Sequence, residues 1–200
     1  MDQTDPAIES AQQHRRRLIP WIAGGVTFAL TLVLGAALIT DWMWRNAEMR
    51  ALLERVEASE AVMGELQDAA TAAFEEHAAG GSQADRGKLD SELRELAAAA
   101  EADIAAAGSE VAALPIAVWH VDIERARDAY LLHNQSWVEY MDRASESSAE
   151  FIAPQPLVNE TFIGAVPYFV EAIPAPDLDG FAERVAAIFA IPEGSSADQV

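Results

Sequence analysis

Residues Leu18 to Thr40 form 23 consecutive positions without a charged side chain, and this stretch constrains the chain more than any other feature. At about 1.5 Å per helical residue it spans about 35 Å, which exceeds the ~30 Å hydrocarbon core of a bilayer. Eleven of the 23 residues are Leu, Ile, Val or Phe, and Trp21, Trp42 and Trp44 lie near the two ends, where tryptophan favours the membrane interface. The stretch predicts a transmembrane helix over residues 18–40.

A cleaved signal peptide is the alternative interpretation of the same stretch, because Arg15, Arg16 and Arg17 resemble the basic start of such a peptide. The apolar part of a signal peptide spans about 7–15 residues, however, and this one is longer. We therefore expect an uncleaved anchor that crosses the membrane once.

The orientation of the span follows from its basic flanks. Arg15–Arg17 abut the N-terminal end, whereas Arg45, Arg50 and Arg55 are spread along the other side. Each side thus has three arginines, and the tighter cluster on the N-terminal side favours a cytoplasmic N-terminus. We expect the N-terminus in the cytoplasm and residues 41–200 outside the cell membrane. Within the span, Gly24, Thr27, Thr31 and Gly35 form a stripe of small residues, which predicts a contact with a second membrane helix.

Two amphipathic patterns follow the span. Apolar residues recur with helical spacing from Arg45 to His77, and no Pro or Gly separates Gly35 from Gly64, so the membrane helix is predicted to continue outward. Turn formers at residues 80–85 end this pattern, and a second helix is predicted over about 85–114. These two helices predict an antiparallel hairpin, or stalk, over residues 41–114.

A third helix is predicted over about 116–150, and it carries the heaviest apolar face of the chain. Trp119, Tyr130, Trp137 and Tyr140 lie on this face, and ten of the 15 aromatic residues fall between Trp119 and Phe189. We expect these aromatic side chains to form the core of the C-terminal region; the alternative is that they line a pocket for a small ligand.

Residues 151–176 contain five of the nine prolines, interspersed with apolar residues. Proline disrupts helix interiors, so this segment predicts an extended strap that lies across the helices. A short last helix with Asp177 as its N-cap follows, and residues 192–200 are expected to be a mobile tail. The predicted fold is thus all-α: a cytoplasmic tail (1–17), the membrane helix (18–40), the stalk (41–114), a C-terminal helical region with the strap (115–191) and the tail, which together form an extracytoplasmic antiparallel helical bundle.

Composition excludes several classes of function. A net charge of −20 argues against nucleic-acid binding, and the absence of cysteine excludes disulfides, thiol catalysis and Cys-ligated metals. The abundant Ala and the single lysine, Lys88, are typical of a GC-rich bacterial genome.

Catalytic and cofactor-binding motifs are absent from the sequence. No nucleophile elbow or phosphate-binding glycine loop occurs, so we expect no catalytic residue, no cofactor and no enzyme activity. His120, Glu124 and Asp128 have a spacing that metal ligands use, but on so acidic a helix we expect a solvated polar face and no metal site. His133 lies on the aromatic face, where a buried, hydrogen-bonded imidazole is expected.

These features predict a membrane-anchored, non-catalytic interaction protein, acting as a scaffold, accessory subunit or regulator of a cell-envelope complex. Its expected partners are the lipid bilayer and either another membrane or envelope protein or a second copy of itself. The alternative is an extracytoplasmic domain that binds or senses a small ligand.

Overall fold

The structure, a computed structural model, describes residues 6–78 and 83–189, with side chains described for residues 28–77 and 83–189. Within these residues the fold is all-α, as predicted. The elements are α1 (Pro6–Ala78), α2 (Gln83–Ala112), α3 (Val121–Glu146), a 3₁₀ turn (Ser148–Ile152), α4 (Pro156–Ala172) and α5 (Phe181–Ile188). The predicted tail 192–200 and residues 79–82 lie outside the described residues.

Helix α1 confirms that the apolar N-terminal segment continues without a break into the first amphipathic pattern. In length and composition, its N-terminal part is apolar enough to cross a membrane. Charged residues begin at Asp41, so the stretch suited to lipid ends near Thr40.

The chain divides into two compact units, Met1–Trp44 and Arg45–Val200. We call the described part of the second unit the helical unit. His77 bonds Glu92 (Nε2 to Oε2, 2.9 Å) in the N-terminal half of α2, and Arg55 pairs with Glu110 near its C-terminal end, so α2 runs back along α1.

The apolar residues of the pattern predicted from Arg45 to His77 pack into the core of the helical unit. The side chains of Met49, Leu52, Val56, Met63, Leu66, Ala70 and Ala73 are all buried. The largest core cluster combines residues of all five helices; its members are Met49, Leu52, Leu53, Val56, Val111, Ile123, Ala126, Tyr130, Ala165, Phe169, Ala172, Phe181, Val185 and Phe189. A second cluster around Trp137, Tyr140 and Met141 extends the core towards the 3₁₀ turn.

The predicted extended strap is wrong, because residues 156–172 form helix α4. Pro156 lies in the first turn, where the missing N–H has no helical partner to lose, while Pro154, Pro174 and Pro176 lie outside the helix. Pro167 alone lies inside it, and packing of Val158, Ala165 and Phe169 in the core offsets the lost hydrogen bond.

Helix α3 is shorter than predicted and begins at Val121. The residues before it, Leu114 to His120, form a loop, so the helix does not start at Pro115. The short last helix is confirmed as α5, but its N-cap residue is Gly180 and not the predicted Asp177. Gly180 has a φ of 70°, a left-handed conformation that favours glycine.

Candidate functional site

The predicted aromatic face is only partly assembled by the structure. Tyr130, Trp137 and Tyr140 lie on α3 and are buried, as expected for core residues. Trp119 does not belong to this face, because it lies in the loop before α3 and is largely exposed.

An open groove of about 410 Å³ lies beside two of these aromatic residues. Trp137 and Tyr140 form part of its wall, Phe151 of the 3₁₀ turn and Phe74 of α1 add two further rings, and Gln67, Thr71, Gln155 and Asn159 add polar groups. Tyr130 does not line it. The groove therefore combines apolar walls with a few polar groups, the usual composition of a small-molecule site.

A network of buried polar side chains lies further along α3. The Tyr130 hydroxyl donates to Glu60 Oε1 of α1 at 2.8 Å. His133 is buried, and its Nδ1–H donates to the Val158 carbonyl at 3.2 Å, while its Nε2 accepts the Trp137 indole N–H at 3.1 Å. Since a carbonyl can only accept and an indole N–H can only donate, these bonds fix the neutral Nδ1–H tautomer. The expected buried, hydrogen-bonded imidazole is confirmed.

The electrostatics of this network follow from burial. Burial lowers the pKa of His133 to about 4, although the Val158 carbonyl opposes the shift, so the imidazole is neutral at pH 7. Burial also raises the pKa of Glu60, while the hydrogen bond from Tyr130 acts in the opposite direction. The pKa of Tyr130 is raised, first by burial and then by the charge of Glu60.

Asn134 extends the network to three helices. Its Nδ2 donates to the Ile104 carbonyl of α2 at 3.0 Å and to Ser59 Oγ of α1 at 3.4 Å. Gly108 of α2 lies directly against the Asn134 amide. The network thus joins α1, α2 and α3 at one level of the helical unit.

His120 forms a separate contact, and the expected solvated face is wrong for this residue. His120 is buried, and its Nδ1 lies 2.6 Å from Glu48 Oε2 of α1. Within residues 28–77 and 83–189, no group of three or more His, Cys, Asp or Glu side chains is placed to hold a metal ion.

The small-residue stripe of the span stays a prediction. Gly24 and Thr27 lie on α1, but their side chains are outside the described ones. Thr31 is exposed, and a Cβ added at Gly35 would meet no atom within 4 Å, so both have room for a neighbouring helix.

Sequence reasoning did not identify Ser59 or Glu60 as residues of a buried polar network. The signal was a gap in the apolar pattern of α1: between Val56 and Met63 the inward position falls at Ser59 and Glu60. A polar residue at such a position indicates a buried polar partner.

Comparison of the chain with protein-family models, with curated proteins and with solved structures gives no match.

Proposed function

We propose that the chain is a single-pass protein of the cell membrane that presents the helical unit as an extracytoplasmic bundle and acts there, without catalysis, by binding another envelope protein. The observation that carries this proposal is the distribution of apolar side chains: one set covers the N-terminal part of α1, and another covers the outer side of α4.

The anchor is supported by the exposure of α1. Seven large apolar side chains between Phe28 and Ile39 are 57–71% exposed, namely Phe28, Leu30, Leu32, Val33, Leu34, Leu38 and Ile39. In a soluble core helix these side chains would be covered by the protein itself. On the insertion scale, lipid stabilises the seven by about 2–4 kcal/mol. A bilayer is therefore the environment that this part of α1 fits.

The partner surface is supported by α4. Its inward side packs Val158, Ala165, Phe169 and Ala172 into the core. Its outward side, which we call the α4 outer face, consists of Leu157, Ile163, Pro167, Tyr168 and Val170, and four of these side chains are 42–54% exposed. Exposed apolar side chains thus recur from the first turn of α4 to its last, and a concentration of exposed apolar residues is typical of a protein interaction site.

The charges beside the α4 outer face indicate the chemistry of the partner. Glu160 and Glu171 lie exposed on the same helix, and the whole chain carries a net charge of −20. Like charges oppose the docking of a second copy. The proposed occupant is therefore another envelope protein whose contact surface is apolar and flanked by Lys or Arg.

Site-specific photo-cross-linking in the producing cells tests this interaction. A benzophenone side chain at Ile163 should give one defined adduct with another envelope protein, and Tyr168→Glu should remove that adduct. The matched control is Leu132, which is 62% exposed but lies on α3. Equal labelling from both positions, or an adduct formed only between two copies of the chain, would contradict the proposal.

The topology needs its own test. A phosphatase that is active only outside the cytoplasm, fused after Val200, should be active, and a reporter that is fluorescent only in the cytoplasm should be dark. The opposite result overturns the extracytoplasmic assignment. The mass of the purified chain separates an anchor from a cleaved signal peptide, since cleavage removes the residues before the helical unit.

A second function, binding of a small apolar ligand, is favoured by the groove of about 410 Å³ lined by Trp137 and Tyr140. This volume lies within the range of about 300–1,000 Å³ that ligand sites occupy. An apolar fluorescent dye should bind the full chain, and Ala70→Phe, which fills the groove, should abolish binding. Ala72→Phe is the matched control because Ala72 is exposed on the same helix. Equal binding by both variants excludes the groove.

A further inference from the structure

Two loops of the helical unit are fixed to the first residues of α1 within that unit. The loop before α3 is held by Glu48, whose Oε1 accepts the Ala117 N–H at 2.9 Å and whose Oε2 lies 2.6 Å from His120 Nδ1. The turn after α4 is held by Arg45, which donates to the Ala172 carbonyl at 3.2 Å, and by Arg50, which pairs with Asp179 at 2.8 Å.

These two loops expose apolar side chains. Val118 is 82% exposed, Trp119 58% and Leu178 70%, and Val121 at the start of α3 is 45% exposed. We call these four residues the apolar tip. Single exposed apolar residues are common on protein surfaces, but a tryptophan with aliphatic neighbours is typical of a membrane interface.

The chain itself keeps the supports of the apolar tip near the end of the apolar stretch. Arg45 follows Thr40 by five residues and Glu48 follows it by eight. Even a fully extended chain covers about 18 Å in five residues and about 29 Å in eight, whatever the angle between the two units. The residues that hold the two loops therefore lie within these distances of the end of the apolar stretch.

Two of the acidic residues next to the apolar tip are in ion pairs, Asp122 with Arg45 and Asp179 with Arg50. Asp177, beside Leu178, bonds the Phe181 and Ala182 N–H groups. The tip therefore presents apolar surface without an excess of basic residues. This composition favours insertion of apolar side chains into the interface over attraction to anionic headgroups.

We infer that the apolar tip inserts into the boundary between headgroups and acyl chains of the leaflet from which the helical unit emerges. This inference depends on the proposed anchor. Its occupant is phospholipid, and the insertion is driven by apolar contact, so a zwitterionic bilayer suffices. The two loops then contact lipid in addition to the span.

Spin labels on the full chain in phosphatidylcholine nanodiscs test the inference, and the absence of native cysteine makes single labelling clean. Labels at Val118→Cys and Leu178→Cys should be relaxed several-fold more by oxygen, which concentrates in lipid, than by a water-soluble nickel chelate. The matched control is Ile152→Cys, which is 75% exposed next to Phe151, a residue that packs against the distant end of α1 around Ala70 and Ala73. Its label should show the reverse preference.

A label at Val33→Cys, within the span, separates the two hypotheses. If the Val33 label is in lipid while the Val118 and Leu178 labels behave like that at Ile152, the tip inference is overturned and the anchor stands. If the Val33 label is in water, the anchor itself fails. A result in which only one of the two loops is in lipid also overturns the inference that the apolar tip inserts as a unit.

Discussion

Gly108 of α2 and Asn134 of α3 meet so closely that a Cβ at position 108 would lie 2.1 Å from Asn134 Oδ1 and 2.7 Å from its Cγ. The Asn134 amide cannot turn away freely, because its Nδ2 bonds the Ile104 carbonyl and Ser59 Oγ. The missing side chain at Gly108 is thus what allows the buried amide to link three helices.

Gly108→Ala is expected to lower the free energy of unfolding by about 1–2 kcal/mol. Overpacking a core costs about 1–3 kcal/mol, and the better helix propensity of alanine returns up to about 1 kcal/mol. Denaturant titration of the full chain in one detergent, followed by far-UV circular dichroism, measures the change.

Gly64→Ala is the control for that experiment. A Cβ at Gly64 meets no atom within 4 Å, so only propensity acts and the variant should be more stable by up to about 1 kcal/mol. If both alanine variants change the free energy of unfolding in the same direction, the close contact between Gly108 and Asn134 does not determine stability.

The register of α2 shows what periodicity can and cannot predict. Steps of three and four between apolar residues predict α2, and they run through Leu93, Ala100, Ile104 and Val111, which are all buried. The same steps run through Ala107, whereas the buried residue at this turn is Gly108, which has no apolar side chain to count. A contact defined by a missing side chain is invisible to a hydrophobic pattern.

The α4 segment shows the opposite error, in which one strong local rule outweighed the rest of the pattern. The density of prolines suggested an extended strap, yet Pro156 starts the helix and Pro167 is tolerated inside it. Position within the helix, and burial of residues such as Phe169, decide the cost of a proline, and a count of prolines contains neither.

Pro167→Ala should raise the free energy of unfolding by about 1–2 kcal/mol. Alanine restores a helical N–H, and the gain of up to about 3 kcal/mol from propensity is reduced by the greater freedom of the unfolded chain. Pro167 is exposed, so no core contact is lost. Thermal unfolding of the full chain measures the effect. A variant less stable than the parent would contradict the cost of the hydrogen bond that Pro167 cannot form.

The stability of the chain should depend on pH through His133. Its pKa is 6.5 in the unfolded reference and about 4 in the fold, so between these values the unfolded state binds more protons. The contribution of the neutral imidazole is complete above pH 6.5 and is lost as the pH falls towards 4. A shift of this size corresponds to about 3 kcal/mol.

Glu60 acts in the opposite direction. Its raised pKa favours the fold below pH 4.5, and this contribution is lost as the pH rises through the folded pKa. Glu60→Gln should therefore steepen the rise of stability between pH 4 and 6.5, and the double variant with His133→Gln should remove it. Unfolding free energies measured across this range decide; equal pH profiles for the single and double variants would exclude His133 as the cause.

Asp177→Ala should lower the free energy of unfolding by about 1 kcal/mol, the typical value of a lost N-terminal cap. Asp177 Oδ1 accepts the Phe181 N–H and Oδ2 the Ala182 N–H, each at 2.9 Å, and these backbone bonds lower the pKa of the carboxyl group. The cap is present above the unfolded pKa of 3.8 and is lost as the pH falls through the lower folded pKa. Glu183→Ala, in the first turn of the same helix, should cost less, and an equal loss would refute the capping role.

The position of α5 has a consequence for biosynthesis. One core cluster joins Phe181, Val185 and Phe189 to Met49, Leu52, Leu53 and Val56, and Arg184 bonds Glu57, which lies 127 residues earlier in the chain. Ribosomes add about 5–20 residues per second, so this apolar side of α1 waits about 6–25 s for its cover after it has been made. During that time the nascent chain exposes this apolar surface, and a message that stops before the last helix would leave it exposed for the lifetime of the product.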